Sequence, residues 1–418
     1  MNVIKRPYGV LGRVLGHSYT PVIYRELAGL DYRKFEREPD QLEDFVRSDV
    51  WEGFNVTIPY KKKLVPYMDE LSDIAQRMGN INTVTRLADG RLRGDNTDYY
   101  GFKVLVESLG LDLAGKKAVV FGGSGGAGST AMMVLADLKM NPVSIDRTGE
   151  NSYANLDLHS DAALAVNCTP VGMFPTCPAA PCSLDAFPRL EGLVDIVYNP
   201  ARTALVMEAE RRGIPYAGGL LMLVAQAAQA VERYTGEVIG MERIVDVTRR
   251  LSATEQNIAL IGMPGCGKTR VGECLAKLLQ REHVDIDQAL ANELGMSCAD
   301  FIERKGEAAF RIRETEVLAR IAGQSGLVIS CGGGIVTREE NYPLLHQNSL
   351  IVMLDRPLEE LATKGRPLTA KHGIEELAQQ RMPIYRAWAD LTVSSTDCAA
   401  NTATALMSNL PPMLEHAA

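Results

Sequence analysis

An α/β protein of more than one domain, with parallel sheets in both halves, is the fold class this sequence predicts, and three observations carry the prediction. First, 418 residues with 46% hydrophobic content exceed the ~250–300 residues at which a single core stops growing. Second, short β-rich runs alternate with helical stretches, the pattern of a parallel sheet crossed by helices. Third, two glycine-rich loops, one in each half, each follow an apolar run and precede a helical one, the arrangement that binds phosphate at a helix N-terminus.

In order along the chain, strands are expected at 118–121, 142–145, 165–166 and 193–198, and helices at 220–234 and 241–251. The polar run Ser252-Ala253-Thr254-Glu255-Gln256 has the composition of a linker, and a domain boundary is placed at 252–256. A new alternation starts with a strand at 258–261 and a helix at 270–279, followed by strands at 284–286, 327–330, 350–354 and 391–393. No repeat or low-complexity tract interrupts either half.

Composition excludes several classes. The formal charge of -8 is spread along the sequence without a basic block, so neither nucleic acid nor a membrane surface is an expected partner. The eight cysteines form no CxxC pair and are expected to be reduced thiols rather than zinc ligands. No apolar leader and no run of about 18 uncharged apolar residues appears; a cytoplasmic protein is expected. Oligomeric state is not legible.

The most specific motif is Gly262-Met263-Pro264-Gly265-Cys266-Gly267-Lys268-Thr269, a GxxxxGK[ST] phosphate loop. Its glycines turn backbone N–H groups toward phosphate oxygens, Lys268 reaches the outer phosphates, and Thr269 can hold Mg²⁺. Downstream lie Asp285-Ile286-Asp287, then Gly306 to Glu314 reading GEAAFRIRE, Gly332-Gly333-Gly334, Arg366-Pro367-Leu368, and Arg381 to Tyr385 reading RMPIY. In this order the motifs resemble shikimate kinase over residues 257 to about 397. The resemblance implies ATP with Mg²⁺ as the phosphoryl donor system. It implies ATP contacts from Gly262, Gly265, Cys266, Gly267, Lys268, Thr269 and Arg366, and metal contacts from Thr269 and Asp285. Shikimate would be held by Asp287, Arg311, Gly333 and Arg381, with Lys268, Asp287 and Arg366 in catalytic roles and Arg366 on a lid. The chemistry is consistent: hydroxyls suit a carboxylate, and a carboxylate substrate suits arginine forks. Another small-polyol kinase is the alternative for this half.

The N-terminal half carries Gly123-Ser124-Gly125-Gly126-Ala127-Gly128 after the expected strand 118–121, and the next strand ends at Asp146-Arg147-Thr148. A dinucleotide fold reads the ribose at that second position: arginine suits a 2′-phosphate and aspartate a free 2′-hydroxyl. This chain has both. Around the loop stand His17-Ser18-Tyr19-Thr20-Pro21, Asn55 to Lys61 reading NVTIPYK, Gly79 to Val84 reading GNINTV, Asn96-Thr97-Asp98, Asn167 to Met173 reading NCTPVGM, Asp195 to Pro200 reading DIVYNP, and Gly219 to Gln226 reading GLLMLVAQ. Together they resemble shikimate dehydrogenase over nearly all of residues 7 to 250. The resemblance implies Lys61 and Asp98 as the catalytic pair and a substrate site of Ser18, Thr20, Thr57, Lys61, Asn82, Asp98, Tyr198 and Gln226. It places NADP(H) on Gly123, Ser124, Gly125, Gly126, Ala127, Asp146, Arg147 and Gly219.

Departures from the family pattern are Val14, Thr20 and Tyr24-Arg25 in the first substrate loop, and only fifteen residues, 149–163, between the Asp146 strand and the next. Fifteen residues suffice for one crossover, not for a crossover with an extra strand and helix, so the nucleotide domain is expected to be shortened after Thr148. The expected division is a substrate-binding domain at 1–100 with returning helices at about 221–251, a Rossmann-like NADP domain at 101–220, and a kinase domain at 257–418. The expected function is bifunctional: reduction of 3-dehydroshikimate to shikimate, then its phosphorylation to shikimate 3-phosphate. The alternative is an active kinase carrying a silent dehydrogenase-like binding or scaffolding module.

Overall fold

The computed structural model describes residues 6–16, 19–361, 373–396 and 398–410. The described residues form two compact units, the first from those within 1–170, 181–198 and 208–248 and the second from those within 171–180, 199–207 and 249–418.

The first unit holds two sheets. One has strands β1 (Tyr8–Gly12), β2 (Tyr32–Glu36), β3 (Gly53–Val56), β4 (Glu70–Leu71), β5 (Thr83–Arg86) and β6 (Leu92–Asp95), in the order β2-β1-β3-β5-β6-β4. β1 runs parallel to β2 and β3, whereas β5 is antiparallel to both its neighbours. Trp51, Phe54, Tyr60, Leu64 and Ile81 are fully buried in its core, each such side chain contributing ~1.5–3 kcal/mol of transfer energy.

The second sheet is parallel throughout: β7 (Lys117–Phe121), β8 (Asn141–Ile145), β9 (Leu164–Asn167), β10 (Gly192–Asp195) and β11 (Tyr216–Gly218), in the order β11-β10-β9-β7-β8. From β7 the chain passes to β8 on one side and then back to β9 on the other, so the glycine loop after β7 sits at a topological switch point, where open α/β sheets bind ligands. β8 is the edge strand, and the connection at 149–163 contains the short 3₁₀ turn Leu156–His159 and no strand.

The helix Leu220–Thr235 buries Val224, Ala225, Ala227, Ala228, Ala230 and Val231 on one face and packs closely on the helix Asp98–Glu107. Gly101 permits that approach: a Cβ there would lie 2.6 Å from the Met222 carbonyl oxygen. The packing brings the N-terminal end of one helix, with Asp98, to Gln226 of the other.

The second unit has one parallel sheet, β12 (Asn257–Ile261), β13 (His283–Asp285), β14 (Val328–Ser330), β15 (Ser349–Asp355) and β16 (Leu391–Ser394), in the order β13-β14-β12-β15-β16. β12 is buried at all five residues, as a central parallel strand covered on both faces must be. It feeds the phosphate loop and the helix Lys268–Leu279.

Two boundaries differ from the sequence expectation. The strand expected at 193–198 ends at Asp195. The stretch read as a linker, 252–256, is not one: helix Met241–Glu255 runs through it, with Ala253 buried and Thr254 Oγ1 donating to the Arg250 carbonyl at 2.9 Å. Among the described residues no helix is long and apolar enough to cross a membrane.

Candidate active sites

In the first unit a cavity of about 510 Å³ is lined by Thr20, Thr57, Lys61, Asn82, Asp98, Tyr198, Gly219 and Gln226. Every described residue expected to bind the first substrate therefore meets in one place; Ser18 lies outside the described residues. Lys61 Nζ donates to Asp98 Oδ2 at 2.5 Å, with side chains 31% and 21% exposed. This is a charge-assisted bond still open to a ligand. The Asp98 backbone N–H donates to Asn96 Oδ1 at 3.1 Å, and Asn82 Oδ1 accepts the Thr97 N–H at 2.7 Å. The amide of Asn82 and the carboxylate of Asp98 are thus set by the turn that starts one helix.

Behind this cavity lies a cluster that the sequence reading missed. Asn55, itself a lining residue, accepts at Oδ1 from the hydroxyls of Tyr24 at 2.5 Å, Tyr32 at 2.8 Å and Tyr234 at 2.9 Å. Its amide donates to Asn82 O and Thr83 Oγ1. Burial raises the pKa of all three phenols, keeping them neutral donors. The departure at Tyr24 thus has a structural use: its hydroxyl supports a lining residue.

Gly123, Ser124 and Gly125 form the turn before the helix Gly126–Asp137, whose first turn includes Ala127. Backbone N–H groups at that helix end suit a diphosphate. At the close of β8, Asp146 accepts from Ser124 Oγ at 2.7 Å and from Ser144 Oγ at 2.6 Å, first the Ser144 and then the Ser124 bond holding its carboxyl below the ordinary range. Arg147 beside it is exposed.

The second unit has a cavity of about 690 Å³ lined by Gly265, Gly267, Lys268, Thr269, Asp285, Asp287, Arg311, Gly333 and Arg381. Gly262, Gly265 and Gly267 have φ of 141°, 93° and 98°, a left-handed backbone that glycine alone adopts without strain. Lys268, buried, folds onto the loop and donates to the carbonyls of Gly262 at 2.9 Å and Met263 at 3.0 Å. Cys266 is fully buried beneath it. Thr269 Oγ1 donates to Asp285 Oδ2 at 2.6 Å: a hydroxyl and a carboxylate side by side fit Mg²⁺, which takes one or two protein oxygens and completes its shell with phosphate and water.

At the other end of the cavity Arg311 donates to Glu314 at 2.8 Å and to Glu307 at 3.0 Å. Burial works against the Arg311 charge, but the Glu314 and Glu307 carboxylates outweigh it and raise its pKa; burial pushes the Glu314 carboxyl up, with Arg311 opposing. Glu314, at 0% exposure, received no role from the sequence, although its spacing from Arg311 places both on one helix face. Arg381 Nη1 donates to the Gly333 carbonyl at 3.0 Å, and so does the Tyr385 hydroxyl. A Cβ at Gly333 would lie 2.6 Å from Pro264 Cγ, so close packing against the phosphate loop itself calls for glycine there. Arg366 lies outside the described residues.

Fold and sites together define a two-site α/β enzyme, a dinucleotide-type dehydrogenase followed by a P-loop kinase. The profile described as the shikimate dehydrogenase substrate binding domain matches residues 10–84, and that described as shikimate kinase matches 264–411. The NADP⁺ shikimate dehydrogenase of Shouchella clausii is 33% identical over 274 aligned positions, 57% of this chain and 98% of the relative. That of Clostridium perfringens is 34% identical over 55% and 92%. Among solved structures, shikimate 5-dehydrogenase of Thermus thermophilus in complex with NADP(H) and shikimate matches at 30% identity and TM-score 0.52, over 59% of this chain and 99% of that one. A chorismate mutase/shikimate 5-dehydrogenase fusion from Clostridium acetobutylicum matches at 28% identity and TM-score 0.56, over 60% and 98%. The chain belongs to the shikimate dehydrogenase family through its N-terminal part and carries a shikimate kinase domain at its C-terminal part.

Proposed function

We propose that the chain is a bifunctional enzyme of the shikimate pathway, reducing 3-dehydroshikimate to shikimate with NADPH and phosphorylating shikimate to shikimate 3-phosphate with ATP. The observation that carries the first reaction is the Lys61–Asp98 contact inside the cavity that also gathers Thr20, Thr57, Asn82, Tyr198 and Gln226. The dinucleotide supplies the hydride when bound. Lys61 supplies the proton to the developing alkoxide, general acid catalysis worth ~10²–10⁴-fold. Asp98 directs the ammonium, and Asn82, Thr57 and Gln226 hold the substrate hydroxyls and carboxylate.

For the second reaction Asp287 orients the attacking hydroxyl, while Arg311 and Arg381 hold the shikimate carboxylate. Lys268 exchanges its loop carbonyls for the outer phosphates of ATP. Thr269 and Asp285 hold the metal, which offsets phosphate charge when bound. Positioning and charge neutralisation supply the rate in such a site. The domain division that accompanies this reading is 1–100 with the helices of about 221–251, 101–220 and 257–418, with small molecules as partners and the cytoplasm as location.

The test is one assay in two stages. Purified full chain is given 3-dehydroshikimate and NADPH while NADPH absorbance is followed, and ATP with Mg²⁺ is then added. Oxidation before ATP, and shikimate 3-phosphate only after it, is expected; phosphorylation of supplied shikimate without any NADPH oxidation would leave the silent module in place of the dehydrogenase.

A further inference from the structure

The dinucleotide loop and Asp146, at the strand end where a dinucleotide fold reads the adenosine ribose, are tied together by hydroxyl–carboxylate bonds. Ser124, in the loop, donates to one oxygen of Asp146 at 2.7 Å, and Ser144, on β8, donates to the other at 2.6 Å. Asp146 follows Gly123 by about the spacing at which a dinucleotide fold places its ribose-reading acid. The two oxygens offer about four lone pairs in all; the Ser144 hydroxyl, the Ser124 hydroxyl and the Ser124 backbone N–H take three of them, and one is left for a ligand. A ribose 2′-hydroxyl donates to such an oxygen. A 2′-phosphate has no proton to give at neutral pH and sets its own charge against a carboxylate that the serine bonds hold ionised and in place. Escape from that repulsion requires Asp146 to rotate away and break its serine bonds.

Arg147, next in the chain, is exposed and has no hydrogen-bond partner among the described residues, so a 2′-phosphate has a cation available at the same strand end. We infer that this dehydrogenase accepts NADH as well as NADPH, with Asp146 reading the free 2′-hydroxyl, Ser124 and Ser144 positioning it, and Arg147 serving the phosphate. The inference rests on the dehydrogenase reading above and departs from the NADP⁺ naming of the relatives.

Two readouts on the full chain test it: calorimetric binding of NAD⁺ and NADP⁺ with no second substrate, and kcat/KM for NADH and NADPH with 3-dehydroshikimate. NAD⁺ is expected to bind within ~10-fold of NADP⁺, and Asp146→Ala to weaken NAD⁺ by ~10–100-fold, the worth of a hydrogen bond to a charged group. Asp146→Asn keeps the acceptor and removes the charge; it is expected to tighten NADP⁺ and to change NAD⁺ little. Arg147→Ala is expected to weaken NADP⁺ alone. Wild-type NAD⁺ binding more than ~1,000-fold weaker than NADP⁺, or an Asp146→Asn chain with an unchanged ratio, overturns the assignment. Binding of both dinucleotides without reduction of 3-dehydroshikimate keeps the assignment and removes the dehydrogenase reading; binding of neither removes both.

Discussion

Each candidate site contains an ion pair, and the two pairs are built in opposite ways. Lys61–Asp98 is partly open, at 31% and 21% side-chain exposure, whereas Arg311–Glu314 is closed, at 9% and 0%. A group that must deliver a proton and regain one in every turnover has to communicate with water. A group that only clamps a carboxylate gains from being fixed, because a preorganised fork loses little on binding. Exposure at each pair thus follows from what the proposed chemistry asks of it.

The largest expected effect separates the two sites outright. Lys268→Ala is expected to reduce phosphoryl transfer by at least ~10³-fold, since charge stabilisation is the main source of rate in such a site, and to leave NADPH oxidation at its original rate. Lys61→Met should do the converse, lowering ketone reduction by ~10²–10⁴-fold with phosphorylation of supplied shikimate unaltered. Parallel measurement of both activities on each variant checks the pair; a variant that lowers both equally would show that the halves do not act as separate sites.

The ion pairs themselves give a sharper contrast, read in stability rather than rate. Glu314→Ala leaves Arg311 with one half-exposed partner and is expected to cost the kinase-containing unit ~3–5 kcal/mol, as breaking a buried pair does. Glu314→Gln keeps shape and an acceptor and should cost less. Asp98→Asn removes a pair of the open kind, worth ~0–1 kcal/mol to folding, while still lowering reduction by ~10²-fold or more. Scanning calorimetry alongside the two assays checks this, and equal melting shifts for Glu314→Ala and Asp98→Asn would break the comparison.

How much of this was legible in the sequence depended on whether the signal was local. β12 and the phosphate loop were plain, because an apolar run, a glycine pattern and a helix occupy consecutive residues. The close of β10 at Asp195 was not, because Ile196, Val197 and Tyr198 are as apolar or aromatic as a strand, yet Tyr198 turns into the cavity. The polar run from Ser252 to Gln256 failed for a different reason: serine and threonine favour loops in general, but here the Thr254 hydroxyl bonds back to its own helix and Leu251 and Ala253 are buried. Glu314 lay within a quoted motif, but only the fold shows that it is fully enclosed. The tyrosine cluster on Asn55 joins residues 24, 32, 55 and 234, a separation no window of sequence spans.

The smallest expected effect concerns a histidine behind the kinase cavity. A His283 ring nitrogen lies 2.9 Å from Ser330 Oγ, which donates to the Lys268 backbone carbonyl at 3.0 Å. Burial lowers the His283 pKa from its ordinary 6.5, with Asp285 and Glu273 opposing but not cancelling the shift. As pH falls below 6.5 the unfolded chain therefore takes up its proton before the folded one. The sign follows from linkage: stability is fully present above the ordinary value and is lost progressively as pH falls through the depressed folded value. Melting of the kinase-containing unit should accordingly fall between about pH 7.5 and about pH 5.5 more steeply in the natural chain than in His283→Gln, the difference being small, about 2 °C for a unit of this size. Equal slopes would mean that the ring protonates as readily in the fold as out of it, and that the wall behind Lys268 is as open to water as the Lys61–Asp98 pair.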